Sequence, residues 1–123
     1  MEKILFIEDE AVLQKSLGGI LTDKGYEVIS AVDGESGLSL AKEVKPDLII
    51  LDLILPRIHG LKVLENLKSE EETKRIPVII LTNLESAGDV EKALELGATT
   101  YLVKANYDLD EVIDKINKAL IQG

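Results

Sequence analysis

A doubly wound α/β fold, an open parallel sheet with helices on both faces, is predicted by three observations. Short aliphatic runs recur along the chain, segments with helical spacing separate them, and glycine or proline marks several boundaries. The runs are Ile4 to Ile7, Val28 to Ala31, Leu48 to Leu51, Val78 to Leu81 and Tyr101 to Val103. Each is too short for a buried helix, and they read as strands covered on both faces, because a strand with one wet face alternates polar and apolar residues.

Between the runs, Leu13, Leu17, Ile20 and Leu21 form one helical stripe. Gly37, Leu40, Ala41 and Val44 form a second, and Val90, Ala93, Leu94 and Gly97 another. The clearest is Leu109, Val112, Ile113, Ile116 and Leu120, and the segment from Leu61 to Leu67 is the weakest. Gly25 follows the first helix, Pro46 stops the second, and Gly97 stands where a left-handed cap ends the fourth. Five strands alternating with five helices imply right-handed crossovers, and ligands in such sheets bind beyond the carboxyl ends of the strands, where the winding reverses.

The 123 residues, read as one domain over 1–123, suffice for a core without disulfides or structural metals. The absence of cysteine removes thiol chemistry and cysteine metal sites. No apolar run spans a bilayer and Met1-Glu2-Lys3 leads straight into a strand, so a cytoplasmic protein is expected. The formal net charge of −9, with no basic cluster to relieve it, discounts direct nucleic-acid binding.

The strand ends carry the chemistry. Glu8, Asp9 and Glu10 follow the first run, Asp52 the third, Thr82 the fourth and Lys104 the fifth. Singly, each has an ordinary structural explanation: acids opening a helix, a capping threonine, a surface lysine. If the first and third strands are neighbours, Glu8, Asp9 and Asp52 converge, and such carboxylates repel unless protonated or given a cation. Mg²⁺, or Mn²⁺ in its place, suits oxygen ligands and leaves positions for a phosphate. With Lys104 beside it the site suits phosphoryl transfer, in which aspartate serves as a nucleophile. Asp52 is expected at the rim of the core, facing the cation instead of buried.

"KILFIEDE", "PDLIILDLILPRIHG", "PVIILT" and "GATTYLVK", in that order, resemble the receiver domain of bacterial two-component response regulators over essentially the whole chain. The resemblance implies a flavodoxin-like fold of five parallel strands in the order 2-1-3-4-5. It implies that Asp52 is phosphorylated by a sensor histidine kinase or histidine phosphotransfer protein, that Asp9 and Asp52 ligate the metal with Glu8 acting mainly through water, and that the backbone carbonyl of Ile54 adds a ligand. Lys104 and Thr82 would contact the phosphoryl oxygens, and Tyr101 matches the switch aromatic that moves with Thr82. Leu53, Ile54 and Leu55 are expected to shape the pocket.

The chain departs from the family pattern at several points. Ala105 follows the site lysine where proline is usual, Asn106 and Tyr107 lengthen that loop, and Leu84 is apolar where many relatives are polar. His59, the single histidine, reads as a loop residue beside Gly60 rather than a phosphoryl carrier. A dehalogenase-like phosphatase would need an acid/base aspartate where Ile54 stands, and a flavodoxin-type nucleotide binder would not place "EDE" in its phosphate loop. The alternative carried forward is a pseudo-receiver that binds partners without phosphorylation. Whether the domain works alone or within a longer regulator stays open, as does its downstream effector.

Overall fold

A computed structural model describes residues 1–83, 87–104 and 108–122. Strands and helices alternate: β1 (Lys3–Ile7), α1 (Ala11–Asp23), β2 (Glu27–Ala31), α2 (Gly34–Val44), β3 (Leu48–Asp52), α3 (Gly60–Ser69), β4 (Val78–Thr82), α4 (Ala87–Glu95), β5 (Thr100–Val103) and α5 (Leu109–Gln122). All strand pairs are parallel, in the order β2-β1-β3-β4-β5. The flavodoxin-like strand order that the family resemblance implies is therefore the one observed.

The two-residue period of the strands divides the core into two layers. Leu5, Ile7, Ile49, Leu51, Val78 and Ile80 pack beneath α2, α3 and α4, against Ala41, Val63, Leu64, Leu67 and Ala93. Ile4, Phe6, Leu48, Ile50, Ile79 and Leu81 face the other way, against Leu17 and Leu21 of α1 and Val112 and Ile116 of α5. Each such side chain, removed fully from water, contributes about 1.5–3 kcal/mol, so the central strands anchor the fold.

Covering on both faces holds for β1, β3 and β4 but not for the outer strands. In β2, Glu27 and Ser30 are exposed, and in β5 only Leu102 is fully buried. Each outer strand has one neighbour and lies at the margin of both helical layers. An aliphatic run of three or four residues does not distinguish that position from a central one.

Local chemistry ends the helices as the sequence suggests. Gly97 closes α4 with φ +113°, and Ala98 N–H returns to the carbonyl of Ala93. Ahead of Pro46, Lys45 takes a left-handed conformation at φ 52°. α3 is fuller than its weak stripe implies. His59 caps it, its Nδ1 accepting from Leu61 N–H at 3.1 Å, and Val63, Leu64 and Leu67 supply tertiary packing that propensity does not register. Among the described residues, no helix is long and apolar enough to cross a membrane.

Candidate functional site

The chain leaves β1 toward β2 on one side and returns to β3 on the other, so the crevice at the switch point lies beyond the carboxyl ends of β1 and β3. Ile7 pairs with Leu51, which brings the next residues, Glu8 and Asp52, to the same level. The acidic turn is held from within. The amide of Gln14, in α1, donates to the carbonyls of Phe6 and Glu8 at 3.0 Å and of Ala31 at 3.1 Å, tying the helix to the ends of β1 and β2.

Glu8, Asp9 and Asp52 each place a carboxylate oxygen within 4.8 Å of the others. Asp9 is exposed, while Glu8 is fully buried and Asp52 is 1% exposed. This corrects the expectation of a rim position for Asp52. The residue ends a wholly buried strand, and the turn that follows folds back over it. Gly60 makes that closure possible: a Cβ there would collide with the Asp52 carbonyl and lie 2.5 Å from Leu53 Cα. Gly60 N–H also donates to Leu53 O at 2.8 Å.

Lys104 reaches in from the end of β5. Its Nζ lies 2.9 Å from Asp52 Oδ2 and 3.1 Å from Glu10 Oε1. Glu8 Oε1 is also 3.1 Å away, but off the axis of a hydrogen bond, and this buried oxygen has no donor. Glu8 Oε2 accepts from Glu10 N–H at 3.0 Å and more distantly from Nζ at 3.5 Å. Burial, reinforced by the charge of Asp52, outweighs these contacts and pushes the Glu8 pKa up to about 7. For Lys104, burial works against the charge, yet bonds to Asp52 and Glu10 prevail and hold its pKa above the usual lysine value. One lysine does not satisfy this many carboxylates. The orphaned Glu8 oxygen and the all-oxygen donor set fit a hard divalent cation.

The other expected residues surround this centre. Ile54 N–H donates to Asp52 Oδ1 at 3.2 Å, and its side chain is half-exposed. Leu53, by contrast, is wholly buried in the core layer beneath α3, next to Asp52. Thr82 is buried at the end of β4 and donates to Asn83 O at 3.1 Å, while Lys104 N–H donates to Thr82 O at 2.7 Å. Tyr101, 40% exposed, shares a groove with Thr82, Val90 and Leu94, and the ammonium of Lys115 lies 5.1 Å from its ring centre. His59 Nε2 lies 3.8 Å from Asp89 Oδ2, away from the acids. Leu84, Ala105, Asn106 and Tyr107, and with them the Lys104-Ala105 peptide, fall outside the described residues.

Sequence reasoning passed over the site roles of Glu10, Gln14 and Gly60. Glutamate is an unusual N-cap, which was a readable signal for Glu10. The demands on Gln14 and Gly60 come from the folded turns after β1 and β3, whose path the residue pattern does not specify.

Residues 4–117 match the family described as the response regulator receiver domain. The chain is 45% identical over 103 residues to a probable transcriptional regulator, ycf27, of Porphyridium aerugineum, covering 84% of this chain and 42% of that protein. It is 38% identical over 120 residues to the DNA-binding dual master transcriptional regulator RpaA of Synechocystis, covering 98% of this chain and 49% of the relative. The receiver domain of the sensor histidine kinase PA1611 of Pseudomonas aeruginosa, solved with a magnesium ion coordinated in its active site cleft, superposes with a TM-score of 0.88 at 28% identity, covering 97% of each chain.

The chain thus spans about half or less of the length of these curated relatives. Their names overturn the exclusion of nucleic acid, since both are transcriptional regulators and one is DNA-binding. The exclusion rested on a net charge of −9, which describes this stretch alone and not the remainder of such proteins. With the fold, the acidic site and the match over residues 4–117 in agreement, the chain belongs to the response regulator receiver domain family.

Proposed function

We propose that Asp52 accepts a phosphoryl group from a phosphohistidine of a sensor histidine kinase or histidine phosphotransfer protein, and that the domain, residues 1–123, acts in the cytoplasm as a phosphorylation switch. The observation that carries this reading is the convergence of Glu8, Asp9 and Asp52 with Lys104 Nζ 2.9 Å from Asp52. Asp9, Asp52 and the backbone carbonyl of Ile54 would hold Mg²⁺ or Mn²⁺, with Glu8 assisting through water. Such an ion, when bound, withdraws charge from phosphoryl oxygens and offsets the three carboxylates.

A carboxylate oxygen of Asp52 attacks phosphorus in line, the P–N bond breaks, and its electron pair leaves with the imidazole. Lys104 donates to a phosphoryl oxygen, neutralising charge that the buried carboxylates would otherwise repel. Thr82 exchanges its bond to the Asn83 carbonyl for one to the phosphoryl group, and Tyr101, its neighbour in the groove, moves with it. Water later hydrolyses the acyl phosphate and restores Asp52, so the domain catalyses only its own charging and discharging.

Incubation with phosphoramidate and Mg²⁺, followed by peptide mapping, tests the reading. One phosphoryl group at Asp52, lost in Asp52→Asn and in chelator, is the expected outcome. Labelling retained by Asp52→Asn contradicts the assignment. No labelling at all identifies a pseudo-receiver.

A further inference from the structure

Glu10 occupies the N-cap of α1, a position where Ser, Thr, Asp or Asn usually satisfies a free N–H, yet its side chain makes no capping bond. Its carboxylate instead crosses to β5 and accepts from Lys104 Nζ at 3.1 Å. An ammonium has three donors. Those of Lys104 face Asp52 at 2.9 Å, Glu10 at 3.1 Å and, more distantly, Glu8 Oε2 at 3.5 Å, so a phosphoryl oxygen competes with these carboxylates for the lysine.

The three partners differ in how easily they leave. Asp52 is the nucleophile and remains at the centre, and Glu8 is fully buried with no other cation beside it among the described residues. The Glu10 side chain is 59% exposed and can return to water at little desolvation cost. Glu10 is therefore the exchangeable partner.

We propose that Glu10 is a positioning residue that occupies one donor of Lys104 in the unphosphorylated domain and yields it to the incoming phosphoryl group, thereby slowing formation of the acyl phosphate. The inference rests on Asp52 being the phosphoacceptor. In the acyl phosphate, Lys104 has already exchanged partners, both in the ground state and on the way to hydrolysis. Glu10 therefore acts on formation and not on hydrolysis.

The test measures both rate constants, for phosphorylation by phosphoramidate at saturating Mg²⁺ and for subsequent hydrolysis, in the native chain, Glu10→Gln and Glu10→Asp. Glu10→Asp keeps the charge but is one methylene too short for the observed contact. Both variants are expected to be phosphorylated about two- to fivefold faster, as the loss of a partly exposed ion pair allows, with hydrolysis unchanged. An unchanged formation rate in Glu10→Gln overturns the proposal. So does native behaviour in Glu10→Asp, which would assign the effect to net charge, and so do parallel changes in both rates, which would signal a general structural disturbance. No labelling of the native chain overturns the phosphoacceptor reading and this inference together, whereas labelling at an unaltered rate overturns this inference alone.

Discussion

Two aspartates flank the same strand and meet opposite fates. Asp47, just before β3, is exposed, and its carboxylate accepts from Lys3 N–H at 2.7 Å while its own N–H returns to Lys3 O at 2.8 Å. Asp52, at the other end, is buried beside Glu8 and Lys104. The amino end of the sheet closes its polar groups with backbone bonds between neighbouring strand ends, including Glu27 N–H to Glu2 O and Ile49 N–H to Pro77 O. The carboxyl end keeps Glu8 Oε1 without a donor and crowds several acids around one lysine. Buried polar groups are ordinarily satisfied, so an end that leaves one orphaned is built for a ligand at the expense of stability.

This contrast can be broken most forcefully at Lys104. Lys104→Met leaves Asp52 and Glu8 buried without their cation, and is expected to lower metal-free stability at pH 8 by about 3 kcal/mol or more in urea unfolding. A similar loss at the amino end from removing an exposed charge would dissolve the distinction.

Glu8→Gln should act in the opposite direction. The folded pKa of Glu8 is raised from 4.5 to about 7, so the folded state binds more protons than the unfolded one across that interval. Stability from this group is therefore full below about pH 4.5 and is lost as pH rises toward 7, a penalty on the order of 3 kcal/mol at pH 8. In metal-free buffer, Glu8→Gln should recover much of that loss at pH 8 and far less at pH 5, while weakening Mg²⁺ binding by titration. A variant equally stable at pH 8 and no weaker for Mg²⁺ would remove Glu8 from the site.

Smaller effects sharpen the other side of the comparison. Thr73, buried in the connection between α3 and β4, donates to Leu67 O at 2.7 Å. Thr73→Val is expected to cost about 1 kcal/mol, with Mg²⁺ affinity unaltered. Asp47→Asn should change stability by no more than about 0.5 kcal/mol, because its partner is exposed to water. A shift in metal binding from either variant would show that the two ends of the sheet are coupled.

Most of the site was legible because its parts lie directly after aliphatic runs, and chemistry at strand ends follows from the order of residues alone. Glu8, Asp9, Asp52, Thr82 and Lys104 all fall there, and the structure brings the three acids and the lysine together. Glu10 was visible as one of three acids but not as a partner of Lys104, since 94 residues separate them. The unequal covering of β2 and β5 was equally hidden, because a short run does not encode how many neighbours it acquires.

By itself, then, the sequence determined the alternation of strands and helices, the helix stops at Pro46 and Gly97, and the kinds of groups at the switch point. These follow from periodicity and side-chain chemistry, which are local. Only the tertiary structure decided that Asp52 is buried, that Gly60 must lack a side chain, and that Lys104 is shared between Asp52 and Glu10. Burial and ion pairing depend on which distant segments arrive at the same point, and the close approach at Gly60 depends on how the connection after β3 turns back on the strand end.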